Sequence, residues 1–235
     1  GHALVGGLVG AALAEGGWDA INVGGFDGWH PVGLVGTLAA LLFSPIIGLI
    51  LGFLVLRGLR LVSRRFTRRW DGPLVGSQWV TAATLSYSHG SNDAQKSMGV
   101  IAALLVATHE TSSLVVPLWV KVATGLAVTL GTALGGWRIV KTVGRRIYSM
   151  KPVDSLASQS SSTAVILGAS LAGAPVSTTQ VVASSVVGVG GGRRRWHHVR
   201  WRVVRGIGIA WVTTIPAAGV LAVAAFYVWK EVAAL

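Results

Sequence analysis

The chain has 235 residues, no cysteine and a formal net charge of +12, and 12% of its residues are charged while 52% are hydrophobic. Soluble domains carry about 25% charged residues, so this composition, with a mean hydropathy of +0.63, excludes a soluble enzyme and intrinsic disorder. The lack of cysteine excludes a disulfide scaffold and a cysteine-based metal or redox site. We therefore expect an all-α integral membrane protein.

Five stretches carry the predicted membrane elements. Residues 32–56, 113–137 and 206–229 are each long and apolar enough to cross a bilayer. Residues 74–108 are longer and contain a polar run at 86–97, which predicts a broken or long tilted span. Residues 154–192 hold two short apolar pieces around a Gly-Ala-Pro turn, which predicts a re-entrant hairpin.

The basic residues are concentrated between these stretches. Seventeen of the twenty Lys and Arg residues lie at positions 57–69, 138–151 and 193–205. Basic loops separated by apolar runs are typical of the cytoplasmic side of a multi-pass protein in the cell (plasma) membrane, and not of a nucleic-acid interface. The three loops share one side only if the hairpin makes no net crossing.

A weak internal repeat links the two ends of the chain. Residues 1–10 align with 179–188, Trp18 with Trp196, and Pro45 and Gly48 with Pro216 and Gly219. The loop after the first copy is acidic and the loop after the second is basic, so the copies would have opposite orientations, as in an inverted-repeat secondary transporter. Chance similarity between apolar helices is the alternative.

The repeat divides the chain into two parts. Residues 1–69 would be the end of the first inverted repeat with the following span, and residues 70–235 would be the second repeat. The counterpart of residues 74–178 would precede Gly1, and the chain has no initiating Met. We therefore expect the C-terminal part of a longer protein, which would not function without its first half.

The polar run at 86–97 is the strongest site candidate. Asp93 would lie at membrane depth, where an ionisable group marks a pathway or a binding site. Gly90 would allow the helix to break and expose amides that suit an anion, while oxygens of Asn92 and Asp93 suit a small cation.

Two further polar residues share the helix face of Asp93. His89 and Lys96 lie four residues before it and three after it, and an imidazole can change charge near neutral pH. In the alternative interpretation, Asp93 and Lys96 only pair with each other to offset the free energy of their burial.

The predicted hairpin carries hydroxyl-rich patches at 158–163 and 175–180. Hydroxyl, amide and main-chain N–H groups can replace the water around an oxyanion. The alternative is that these small residues serve only helix packing.

Enzyme chemistry is not supported by any motif. The glycine run at 188–192 lacks the Lys-Ser/Thr of a phosphate loop, and the His197-His198 pair has no carboxylate or cysteine beside it. Ser88, His89 and Asp93 are too close along one helix for a hydrolase triad. We expect no enzyme, no cofactor and no bound metal.

With these motifs described, the sequence resembles the inorganic phosphate transporter family of low-affinity secondary permeases. Residues 88–99 are similar to the second Asn-Asp signature in the family's bacterial branch, and residues 175–180 to its hairpin signature. Residues 157–164 occupy the place of the other hairpin arm. The chain departs from the family at Gln159 and Gln180, where many relatives carry Glu and His.

The resemblance implies two inverted repeats around a central site and transport by alternating access. By position, the coupling cation would meet His89, Asn92 and Asp93. Phosphate would be bound by Ser91, Asn92, Asp93, Gln159, Ser160, Ser161, Ser177, Thr178 and Thr179.

The function predicted from the sequence is uptake of inorganic phosphate coupled to a cation. The proton is the favoured coupling ion, and sodium is the alternative. The sequence also leaves open whether phosphate is carried as a metal complex and whether the protein is a homodimer. A sulfate permease of the same fold is the close alternative. A membrane receptor or assembly subunit and an intramembrane hydrolase are the alternatives from other classes.

Overall fold

The computed structural model describes residues 1–27, 30–63, 71–193 and 196–233. Its elements in chain order are α1 (His2–Gly16), a 3₁₀ turn (Gly17–Ala20), strands β1 (Gly25–Asp27) and β2 (His30–Val32), α2 (Gly33–Ser63), α3 (Asp71–Ala107), α4 (Leu118–Gly135), α5 (Trp137–Lys141), a π-helical turn (Thr142–Ile147), α6 (Pro152–Leu171), α7 (Thr178–Gly192), a 3₁₀ turn (Trp196–His198) and α8 (Trp201–Ala233). The two strands form one small antiparallel hairpin.

Among the described helices, three are long and apolar enough to cross a membrane. They are Gly33–Val62, Leu118–Gly135 and Trp201–Val232, with mean hydropathies of 2.6, 1.4 and 1.9. Large apolar side chains along them are exposed, including Leu42, Leu134 and Val212, as expected of surfaces that face lipid. The prediction of an all-α membrane protein is confirmed.

The ends of these helices differ from the predicted spans. Helix α4 begins at Leu118 instead of residue 113 because Pro117, in an extended conformation, is its N-cap. Helices α2 and α8 continue into basic segments, to Ser63 and from Trp201. Arginine is a good helix former, so these segments can remain helical. In α2 the Arg57 guanidinium lies 5.0 Å from the centre of the Phe53 ring.

The predicted break in the 74–108 span is wrong, because α3 is one continuous helix from Asp71 to Ala107. A single glycine such as Gly90 costs a helix only about 1 kcal/mol. The neighbouring serine hydroxyl bonds back to the helix, with Ser88 Oγ donating to Leu85 O at 3.0 Å. At about 1.5 Å per residue, the 37-residue helix exceeds the roughly 30 Å of a hydrocarbon core. It is thus long enough for the alternative of a long tilted span, which stays a prediction because α3 is not among the three apolar spans.

Helices α6 and α7 form the predicted helical hairpin. The left-handed Gly173 (φ 68°) lies in its turn, and Val165, Ile166 and Val181 form an apolar cluster between the arms. Helix α7 has 15 residues, or about 22 Å, which is too short for a full crossing. Re-entry into the membrane from one side stays a prediction.

The chain divides into two compact units, residues 1–43 with 201–235, and residues 44–200. In the first unit α1 packs on α8, and a Cβ added at Gly10 would meet the Gly219 backbone. A cavity of about 500 Å³, lined almost entirely by apolar groups, lies between these two helices.

In the second unit α7 packs on the C-terminal part of α2. A Cβ added at Gly52 would lie 2.5 Å from Ser185 O, and one at Gly48 would lie 2.9 Å from Val181 O. Close helix contact through small residues is the usual packing mode where lipid removes the hydrophobic driving force. This packing buries most of α7.

A buried ion pair closes the base of the α6–α7 hairpin. Asp154, in the first turn of α6, is fully buried, and its carboxylate accepts hydrogen bonds from Arg193 Nε and from Lys151 N, the latter at 2.9 Å. Arg193 immediately follows α7, so the pair joins the start of one arm to the end of the other.

We predict that Arg193→Met lowers the free energy of unfolding by about 3–5 kcal/mol, because it leaves a buried carboxylate without its countercharge. Thermal unfolding of the purified protein in detergent measures the effect. The double variant Asp154→Asn/Arg193→Met is expected to recover part of the loss, and Arg202→Met, at an exposed position, to be near neutral. A single variant as stable as the wild type would contradict this assignment.

Candidate functional site

The candidate site lies in the second unit, where the middle of α3 meets the turn of the α6–α7 hairpin. Asp93 is at its centre. Its Oδ1 lies 3.0 Å from Lys96 Nζ, and its Oδ2 lies 3.2 Å from His89 Nε2. These residues share one face of α3, as their helical spacing predicts. The ion pair of Asp93 with Lys96, which the sequence suggested as an alternative interpretation, is therefore present.

The hairpin contributes the other half of the site. Thr178, the buried first residue of α7, has its hydroxyl 3.1 Å from His89 Nε2 and 3.4 Å from Asp93 Oδ2. Lys96 Nζ also donates to Val176 O at 2.7 Å. We call His89, Asp93, Lys96 and Thr178 the Asp93 cluster. It combines one carboxylate with two basic groups and a hydroxyl at a helix N-terminus, where amide groups have no partner within the helix.

Asn92 faces α6 from the next position of the same helix. It is 3% exposed, and its Nδ2 donates to Ser170 Oγ at 2.9 Å. Within the described residues, the buried side-chain atoms without a hydrogen-bond partner include Asn92 Oδ1 and, on α6, Ser162 Oγ and Thr163 Oγ1. Buried polar atoms normally have partners, so Asn92 Oδ1 is an acceptor available to a ligand that brings a proton or a positive charge.

Two predicted phosphate-binding residues of α6 make other contacts. Gln159 Oε1 accepts a hydrogen bond from Thr81 Oγ1 of α3. Ser161 Oγ donates to Ser158 O at 3.1 Å and to Ser185 Oγ at 3.2 Å. The hydroxyl oxygens of Ser158 and Ser185 form a hydrogen bond of 2.8 Å. These three residues form a serine cluster that holds α6 against α7, which is the packing role left open by the sequence.

The remaining predicted residues fall into two groups. Ser177 is buried at the N-cap of α7, next to Thr178. Ser91, Ser160 and Thr179 are half-buried and do not take part in the hydrogen bonds described above. The structure thus brings His89, Asp93 and Thr178 together, with Ser177 beside them, and gives Gln159 and Ser161 separate partners.

Several contact residues could not be found by sequence reasoning. Ser170 and Thr81 lie 78 positions from their partners Asn92 and Gln159, and no local pattern signals such pairs. The main-chain oxygen of Val176 carries no residue-type signal at all. For Ser158 and Ser185 the sequence did contain a signal, since both lie in runs of small residues.

The donor set of the site limits what it can hold. In the described part of the chain, no group of three His, Cys, Asp or Glu residues could bind a metal ion. A single carboxylate with hydroxyl and carbonyl oxygens suits a proton or a monovalent cation, and the hydroxyls, ammonium and helix N-terminus suit an oxyanion.

Long apolar helices, a polar hairpin tip and an ionisable cluster within a helix define a membrane transporter. The model of the phosphate transporter family matches residues 64–222, and the chain belongs to that family. The chain therefore belongs to a family of transporters and not of enzymes.

Individual relatives agree with this assignment. A Bacillus subtilis (strain 168) protein described as a probable low-affinity inorganic phosphate transporter is 38% identical over 97% of this chain and 66% of its own length. A Mycobacterium tuberculosis (strain H37Rv) protein with the same description is 39% identical over 94% of this chain and 52% of its own length. The chain thus spans between half and two thirds of these relatives.

A solved structure described as the sodium-dependent phosphate transporter has a similar fold. Its TM-score is 0.62 at 24% identity, and the match covers 98% of this chain and 64% of that one. The similarity supports the arrangement of helices described above.

We predict that Ser185→Ala lowers the free energy of unfolding by about 1–3 kcal/mol, because it removes a buried hydroxyl that bonds Ser158 and Ser161. Thermal unfolding in detergent measures the loss. Ser112→Ala, at an exposed position, is the matched control and should change little. Equal stability of the two variants would mean that the serine cluster does not hold the hairpin together.

Proposed function

We propose that this chain forms the substrate- and cation-binding part of a secondary transporter that takes up inorganic phosphate with a proton, by alternating access, in the plasma membrane. The observation that carries the proposal is the Asp93 cluster, in which an ionisable group inside a long helix contacts the tip of a helical hairpin. Family membership supports the substrate class.

Phosphate fits the chemistry beside this cluster. Lys96 supplies a positive charge, Ser177 and Thr178 supply hydroxyls, and the N-terminus of α7 supplies main-chain donors. Protonated phosphate also carries a donor of its own, which Asp93 or Asn92 Oδ1 can accept. Sulfate lacks that proton at neutral pH and needs donors only, so it is the second candidate within the same fold.

His89 favours the proton as the coupling ion. Its Nε2 lies within hydrogen-bond distance of both Asp93 and Thr178, so a change in its protonation alters one contact within α3 and one between α3 and the hairpin. An imidazole can gain and lose a proton near physiological pH. Sodium is the second candidate, because the similar solved structure is described as sodium-dependent.

We further propose that the helix pairs are related by an inverted repeat. In the aligned register Gly10 corresponds to Gly188, and Gly48 to Gly219. Gly10 packs on the backbone of Gly219, while Gly188 packs on the backbone of Leu49, next to Gly48. This equivalence of the α1–α8 and α7–α2 contacts supports the repeat, since chance similarity of sequence would not preserve packing partners.

The proposed partners follow from the same site. Phosphate is the cargo, either free or as a metal–phosphate complex, and the bilayer is the solvent of the exposed apolar helices. A homodimer is the proposed assembly. A receptor or assembly subunit would have no use for Asp93, His89 and Thr178 at one point of the membrane.

Uptake of radiolabelled phosphate into proteoliposomes tests the substrate and the coupling ion together. The protein used is the full-length transporter, in which this chain is joined to its expected first repeat. We expect uptake to require an inward proton gradient, to be unchanged by a sodium gradient and to resist excess sulfate. Uptake of sulfate in place of phosphate would overturn the substrate, and sodium-driven uptake would overturn the coupling ion. If neither phosphate nor sulfate is taken up, the result would favour the alternative of a membrane receptor.

The variant Asp93→Asn is expected to reduce phosphate uptake about 10- to 100-fold, because it removes a charge-assisted hydrogen bond. Asp19→Asn, which makes the same chemical change at an exposed position outside the site, is the matched control and should retain uptake. Comparable uptake by the two variants would exclude Asp93 from transport.

The variant His89→Gln is expected to keep phosphate exchange across the membrane within a few fold but to lose most of the stimulation by a proton gradient. Gln can hydrogen-bond to Thr178 but cannot carry a proton charge. The ratio of gradient-driven uptake to exchange is the measurement. An unchanged ratio would assign the proton to another group.

A further inference from the structure

We propose that Lys96 is a built-in cation, whose ammonium group occupies the position between α3 and the hairpin tip where a monovalent metal ion would otherwise balance Asp93. Lys96 would thereby determine the ion specificity of the site by keeping sodium out. This inference rests on the proposed function, because it concerns which cation the same site accepts.

The contacts of Lys96 are those of a bound cation. Nζ lies 3.0 Å from the carboxylate oxygen Asp93 Oδ1 and 2.7 Å from the main-chain oxygen Val176 O. A carboxylate together with a main-chain carbonyl from non-helical chain is the kind of oxygen set that transporters offer to coupling ions. Here a side chain of the protein itself fills the position.

The second carboxylate oxygen of Asp93 also has hydrogen-bonding partners. Asp93 Oδ2 lies within hydrogen-bond distance of His89 Nε2 and Thr178 Oγ1. A sodium ion at Asp93 would therefore have to compete with these groups for the carboxylate oxygens. Displacement of Lys96 would leave an unpaired ammonium group on a side chain that is 13% exposed, which is unfavourable away from water.

The position of Lys96 explains why a lysine can substitute for an ion here. Three residues after Asp93, it lies on the same helix face, and its long stem carries the charge across to the hairpin turn. Ammonium has three donors, of which Asp93 and Val176 take two, so one donor is left for an anion at the hairpin tip.

The consequence for coupling is direct. With Lys96 in place, the ammonium group occupies the position between Asp93 Oδ1 and Val176 O that a sodium ion would need. The variable charge of the site then resides on protons. Removal of Lys96 should create a sodium site that the wild-type protein lacks.

The test compares the thermal unfolding of purified protein in sodium chloride and in choline chloride. We expect no difference for the wild type. For Lys96→Ala, saturating sodium should raise Tm by about 3 °C over choline, because sodium binds the folded protein at the exposed carboxylate. The double variant Lys96→Ala/Asp93→Asn should lose this response. Lys121→Ala removes an exposed lysine of α4 and is the matched control.

Three results would overturn the proposal. They are a sodium response of the wild type as large as that of Lys96→Ala, no sodium response of Lys96→Ala, and a response that persists in the double variant. If Lys96→Ala folds only in sodium, the proposal is supported. If it folds in neither salt while the double variant folds in both, sodium cannot replace the ammonium group and the proposal fails. This test measures no transport, so its outcome is independent of whether the protein takes up phosphate in the uptake experiment.

Discussion

The carboxylate of Asp93 is the group on which the organisation of the second unit depends. An ionised carboxylate that is partly buried is unfavourable without partners, and the chain offsets this with contacts from two directions. Lys96 and His89 come from the same helix face, while Thr178 and the oxygen of Val176 come from the hairpin. The same contacts that stabilise the charge therefore fix where the hairpin tip lies on α3.

The hairpin can occupy that position because small residues line its contacts with α2 and between its own two arms. Gly48, Gly52 and Gly188 allow α7 to lie directly on the backbone of α2, and the serine cluster joins α7 to α6. Lipid is as apolar as a leucine side chain, so close contact and hydrogen bonding must supply the association energy. At the opposite end of the hairpin, the ion pair of Asp154 with Arg193 ties the two arms together.

Much of this architecture could be predicted from the sequence, because it follows from local periodicity. Apolar length identified the spans, and helical spacing placed His89 and Lys96 beside Asp93. The predicted break at Gly90 failed, because one glycine weakens a helix by less than its continued hydrogen bonding stabilises it. The hydroxyl patches were ambiguous in principle, since a serine that binds an anion and one that packs a helix look alike. Contacts such as those of Asn92 with Ser170 and Thr81 with Gln159 join distant segments, which no local pattern encodes.

In the proposed function, the contacts at Asp93 would also link ion occupancy to conformation. Any movement of the hairpin tip away from α3 separates Lys96 from Val176 and Thr178 from both His89 and Asp93. In the proposed function, an anion at the tip would interact with Lys96 and Thr178, and a proton on His89 would change what Thr178 and Asp93 can share. A ligand shifts a conformational equilibrium only by its differential affinity for the two states. Of the contacts at Asp93, those of Lys96 with Val176 and of Thr178 with His89 and Asp93 exist only while the tip is docked. If the proposed function holds, phosphate and proton would influence one another through the position of the hairpin, without a separate relay between two sites.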